Sequence, residues 1–69
     1  MESVTDTVYL IQQLYHRSNE HVVTLEGIIE AVDDFLRLTQ KSVRFGAFTD
    51  SDRDYMINEL IRMNANIIH

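Results

Sequence analysis

The chain has no cysteine, no proline, no tryptophan and only two glycines in 69 residues. The missing cysteines exclude disulfides and thiolate metal sites. With two glycines there is no phosphate-binding glycine loop, and the hairpin dipeptides that would join strands are missing. No run of 18 apolar residues occurs, so no segment is expected to span a membrane. The first six residues carry Glu2 and Asp6 and no base, unlike a secretory leader, so a cytoplasmic location is expected. Bases are also scarce: six Lys and Arg stand against 11 Asp and Glu, a formal net charge of −5.

Apolar residues make up 45% of the chain, which places it with globular proteins and not with disordered ones. Its length fits one domain, residues 1–69. A chain this short buries only roughly 60% of the surface its unfolded form exposes. Such cores supply about 3–5 kcal/mol and need reinforcement. Disulfides are excluded and no metal motif is present, which leaves regular helix packing or self-association.

Periodicity predicts an all-α fold of three short helices, at about 4–16, 25–44 and 50–67. In the first, Val4, Val8, Ile11 and Tyr15 form one stripe, widened by Leu10 and Leu14; Ser3 and Asp6 have capping-box spacing. The second is the most regular. At about 100° per residue, Leu25, Ile28, Ile29, Val32, Phe35, Leu36, Thr39 and Val43 share one arc. Glu26, Glu30, Asp33, Arg37, Lys41 and Arg44 share the opposite one. Thr24 is placed to cap its start, with Val23 and Ile28 as a hydrophobic staple, and Gly46 stands where a C-terminal cap belongs. The third begins after Thr49, whose spacing to Asp52 again suits a capping box. Its apolar set, Met56, Ile57, Leu60, Ile61, Met63, Ile67 and Ile68, spans near half the circumference. A helix that apolar either lies between two neighbours of its own chain or faces another chain. The only stretch that tolerates an extended conformation is His21, Val22 and Val23.

Enzymatic and metal chemistry find little footing, and no cofactor is expected. His16 and His21 straddle a helix end, His69 is terminal, and no His-Glu-x-x-His motif exists. Asp33 and Asp34 point about 100° apart on a helix and form no catalytic pair. Asp50, Asp52 and Asp54 have calcium-loop spacing, but Tyr55 and Ile61 occupy the positions that need glycine and glutamate.

Charge and polarity carry the functional expectations. Residues 1–36 hold seven acids and one base, Arg17, a balance of −6; residues 37–69 hold five bases and four acids, a balance of +1. Asn64 falls within the apolar arc of the third helix, where a buried amide needs a partner and can fix the register of a helical dimer. A homodimer through Met56, Leu60, Met63, Asn64 and Ile67 is therefore expected. The bipolar face of the second helix is either a solvated face that suits the helix dipole, with Asp33 and Arg37 as an i,i+4 pair, or a self-complementary rival surface. Tyr9 and Tyr55 lie off their apolar stripes. Phe45 and Phe48 bracket Gly46 and either plug the core or offer a hook to a partner. The leading functional expectation is a non-enzymatic interaction module. It is a small acidic regulator, inhibitor or adaptor that binds a protein with a basic surface through Glu26, Glu30, Asp33, Arg37, Lys41, Arg44, Phe45 or Phe48. Two alternatives stand beside it. One is a dimeric DNA-binding regulator using the third helix and the Arg37, Lys41, Arg44 cluster; the other is a structural subunit of a larger assembly.

Overall fold

The computed structural model describes residues 2–15 and 24–64. They form three helices: α1 (Val4–Tyr15), α2 (Leu25–Leu38) and α3 (Asp50–Met63). None of them is long and apolar enough to cross a membrane. His16, His21, Val22, Val23, Ile67, Ile68 and His69, to which the sequence assigned roles, lie outside the described residues.

Each helix start follows from local hydrogen bonding. The Ser3 hydroxyl accepts from the Asp6 N–H at 3.1 Å. Thr24, extended at φ −117°, accepts from the Gly27 N–H at 2.9 Å. Thr49 makes the full capping box: its hydroxyl accepts from the Asp52 N–H, and the Asp52 carboxylate accepts from the Thr49 N–H at 2.9 Å. These contacts satisfy N–H groups that have no partner inside a helix.

The core gathers Val8 and Ile11 from α1, Ile28, Ala31, Val32 and Phe35 from α2, and Met56 and Leu60 from α3. The α1 and α2 residues are the ones the periodicity assigns inward, except Ala31, which joins them. Thr7 is fully buried, and its hydroxyl is satisfied by donating to the Ser3 carbonyl at 2.8 Å. α3 packs against both α1 and α2, more extensively than those two pack on each other. Among the described residues its apolar face is covered within one chain: α3 lies between two neighbours, with Met56 and Leu60 buried and Ile57, Ile61 and Met63 partly buried against the core.

The second helix ends earlier than its pattern predicts. It stops at Leu38 rather than near Arg44. The Thr39 hydroxyl and N–H both donate to the Phe35 carbonyl, at 2.7 and 3.0 Å. The Ser42 hydroxyl then accepts from the N–H groups of Arg44 and Phe45. Serine and threonine side chains offer the backbone an alternative to the helical ladder, and here two of them redirect the chain into successive turns. Val43, assigned to the apolar arc, is consequently 96% exposed. Gly46 is no helix cap, and its φ is not positive. It is needed because the backbone folds tightly on itself there: a Cβ would sit 2.4 Å from the Ser42 carbonyl oxygen and 2.6 Å from that of Gln40.

Candidate functional site

The expected dimer surface is largely consumed inside the monomer. Met56 and Leu60 are fully buried by α1 and α2 and have no surface to offer a second chain. Met63 is half-buried against the same core. Asn64 ends α3, and its side chain has partners within the chain. It donates to the Gln12 side-chain oxygen at 2.9 Å and to the Leu60 carbonyl at 2.6 Å, and accepts from the Gln12 amide at 3.0 Å. The amide that sequence reasoning offered to a dimer mate is satisfied by Gln12, a residue to which no role was assigned. Its only signal is a polar side chain on α1 beside the apolar stripe.

The polar face of α2 is exposed at Glu26, Glu30, Asp33, Asp34 and Arg37, but its pairings differ from expectation. Asp33 does not pair with Arg37. It takes two hydrogen bonds from Arg53 of α3, at 2.6 and 3.1 Å, while Arg37 pairs with Asp34 at 3.2 Å. The Arg53 hydrogen bonds hold the Asp33 carboxyl below its ordinary pKa, against a smaller opposing effect of burial; Arg53 is raised in turn. On α3, Arg62 grips Glu59 with two hydrogen bonds and lowers its pKa, with Tyr55 adding a weaker one. Glu26 and Glu30 form no ion pair among the described residues.

The basic cluster does not form one helical face, because α2 ends before it is complete. Arg37 is on the helix, Lys41 is exposed in the turns, and Arg44 reaches back to the N-terminal segment. There its guanidinium pairs with Glu2, and the Glu2 N–H donates to the Arg44 carbonyl at 2.8 Å. Arg44 also lies 5.1 Å above the Phe45 ring, a cation–π contact. Phe45 meets Phe35 edge to face, with ring centres 5.2 Å apart and planes at 80°. Phe45 and Phe48 are half-buried against the core. They therefore plug the end of the bundle and keep part of each ring accessible. Leu38, just before the turns, is 68% exposed.

A cleft of about 200 Å³ opens beside these rings, lined by Leu36, Gln40, Phe45, Gly46, Phe48, Thr49, Asp50 and Arg53. It brings two of the proposed partner-contact residues, Phe45 and Phe48, together with the C-terminal end of α2 and the N-terminus of α3. Among the described residues no group of three or more His, Asp or Glu side chains is arranged to hold a metal. The chain matches no known protein family, no curated protein and no solved structure.

Proposed function

We propose that the protein is a non-enzymatic interaction module, a small acidic regulator, inhibitor or adaptor that binds a basic surface of another protein. The observation that carries this reading is the state of Glu26 and Glu30. They stand one helical turn apart on the exposed face of α2, with no ion pair to any described residue. The other acids of that face, Asp33 and Asp34, already hold Arg53 and Arg37. A basic partner meeting Glu26 and Glu30 need not displace an internal cation. Complementary charge of this kind raises the association rate more than the affinity.

A partner other than a second copy is favoured by the burial of Met56 and Leu60, central to the expected dimer face, inside the monomer. The DNA-binding alternative draws no comparable support: Arg53 and Arg62, its main outward bases on α3, are held by Asp33 and Glu59. The test is capture of binding proteins by the wild-type chain and by Glu26→Gln/Glu30→Gln. Each captured protein is then purified, and its association is measured at about 50 and about 300 mM salt, where the Debye length shortens markedly. A direct association that weakens with salt and with the double substitution supports the reading. Association indifferent to both overturns it.

A further inference from the structure

The N-terminal segment meets the connection between α2 and α3 at Arg44, and two contacts of different kinds join them there. The Glu2 N–H donates to the Arg44 carbonyl at 2.8 Å, and the Glu2 carboxylate pairs with the Arg44 guanidinium. The first residues of a chain are poorly ordered unless something ties them down. Here Arg44 is the tie. The Glu2 side chain is the sheltered member of the pair, 21% exposed against 68% for Arg44. The contacts continue inward. The Arg44 guanidinium stands over the Phe45 ring, and that ring meets Phe35 of the buried core edge to face. Glu2, Arg44, Phe45 and Phe35 thus form one line of contacts from the start of the chain to the core.

The connection has no helical ladder of its own. Its turns are held by Ser42: the Phe45 N–H donates to the Ser42 hydroxyl at 3.2 Å and the Gly46 N–H to the Ser42 carbonyl at 2.8 Å. Among the described residues, the two contacts with Glu2 are the only hydrogen bonds or ion pairs that tie residues 40–48 to anything beyond Thr39 and their own turns. A segment fixed by so few bonds opens locally, without unfolding of the whole protein. An exposed ion pair and one backbone hydrogen bond are each weak, so a fastening made of one of each opens readily.

We propose that the N-terminal segment is a clasp on the α2–α3 connection, closed by Glu2 on Arg44, and that its release frees Arg44 and the turn carrying Phe45 together. Closed, the clasp fixes the guanidinium against the ring and the ring against Phe35. Open, it offers an arginine without its acid beside an aromatic ring, two residue types enriched where proteins meet. The clasp lies on the 40–48 connection, after the end of α2, and does not depend on the reading of Glu26 and Glu30.

The test is amide hydrogen exchange of the full chain, followed by NMR, in the wild type, Glu2→Gln, Arg44→Gln and the double variant. The Phe45 and Gly46 amides report on the connection, because both are bonded to Ser42 in the closed form. In the wild type they should be less protected than the Val32 and Leu60 amides inside α2 and α3, since the clasp opens without global unfolding. Glu2→Gln should speed their exchange by roughly two- to fivefold, the worth of an exposed ion pair. The Gly27 and Asp52 amides, which open with their own helix starts, should not change. The Arg44 Nε–H signal, whose acceptor is the Glu2 carboxylate, should shift in the same variant. Glu2→Gln should add little to Arg44→Gln, because the acid then has no cation to lose. Phe45 and Gly46 as protected as Val32 and Leu60 would mean that the connection opens only on unfolding, and the clasp fails. Exchange unchanged by Glu2→Gln, or raised equally at Gly27 and Asp52, overturns it as well. The same gain from Glu2→Gln with and without Arg44 would show that Glu2 acts through another residue, and is equally fatal.

Discussion

Gln12 and Asn64 exchange two side-chain hydrogen bonds, at 3.0 and 2.9 Å, across 52 positions of sequence. The pair ties the last turn of α1 to the end of α3, and Asn64 also closes α3 by donating to the Leu60 carbonyl. A primary amide has an acceptor oxygen and two N–H donors, so the exchange uses one donor and the oxygen of each amide, and the second Asn64 N–H goes to Leu60.

That reciprocity has a measurable signature. A neutral hydrogen bond contributes about 0.5–1.5 kcal/mol, so Gln12→Ala should cost about 1 kcal/mol and Asn64→Ala about 1–2 kcal/mol, since Asn64 loses the Leu60 contact too. The double substitution should cost less than the two single losses together, with a coupling near 1 kcal/mol in urea unfolding. Strict additivity would mean the two amides act independently. Asn64→Leu should destabilise the protein by a similar amount, and its mass by light scattering should match that of the wild type. A change of oligomeric state on that substitution would return Asn64 to a dimer interface.

Gly46 makes a sharper prediction. The first atoms a Cβ would meet are backbone oxygens of Ser42 and Gln40, which cannot swing aside as a side chain can. Gly46→Ala should therefore destabilise by about 1–3 kcal/mol, the range for forcing atoms into a filled space. It should also shift the amide signals of Phe45 and Phe48, since the tight turn sets where both rings lie. A neutral or stabilising Gly46→Ala would show that this segment is looser than described.

Much of this fold is legible in the sequence, and the misses share a cause. Ile28, Val32 and Phe35 fall inward as their period requires, and Thr24 and Thr49 cap where their spacing places them. The end of α2 was not legible, because Lys41, Val43 and Arg44 continue the same period beyond Leu38. What stops the helix is hydrogen bonding by the Thr39 and Ser42 hydroxyls, which a count of apolar positions does not register. The apolar width of α3 was visible, but a stripe shows how much surface needs cover and not which chain covers it. Met56 and Leu60 were read toward a second copy for that reason. Long-range polar pairs such as Gln12 with Asn64, Asp33 with Arg53 and Glu2 with Arg44 depend on how the helices are placed, and no local spacing announces them.

The capping box at Thr49 should exceed the simpler cap at Thr24. Thr49→Ala removes a hydroxyl acceptor and leaves the Asp52 carboxylate holding one N–H alone, with an expected cost of about 1–2 kcal/mol. Thr24→Ala removes one contact, to Gly27, and should cost about 1 kcal/mol. Thr→Ser at either position should recover most of the loss, because the acceptor oxygen returns. If alanine at both sites proves neutral in thermal unfolding, the caps are replaced by water at no cost and the helix starts are set by packing.

The Asp33–Arg53 pair joins α2 to α3 and gives stability a dependence on pH. Arg53 holds the folded Asp33 carboxyl below its ordinary value, chiefly through its hydrogen bonds. A carboxyl lowered on folding contributes stability that is fully present above the unfolded value, near 3.9, and is lost as pH falls through the lower folded value. Both side chains are substantially exposed, so the contribution is small and screened by salt. The direct measurement is therefore the Asp33 titration by NMR. Its midpoint should lie below that of an ordinary aspartate and move up toward it in Arg53→Gln. The same substitution should flatten the loss of stability on acidification below the ordinary aspartate value, where this carboxyl acts. An unchanged midpoint would show that Arg53 does not hold Asp33 in solution. Asp33 would then join Glu26 and Glu30 as a carboxylate without an internal cation, and the acidic face of α2 would be wider than the folded pairings allow.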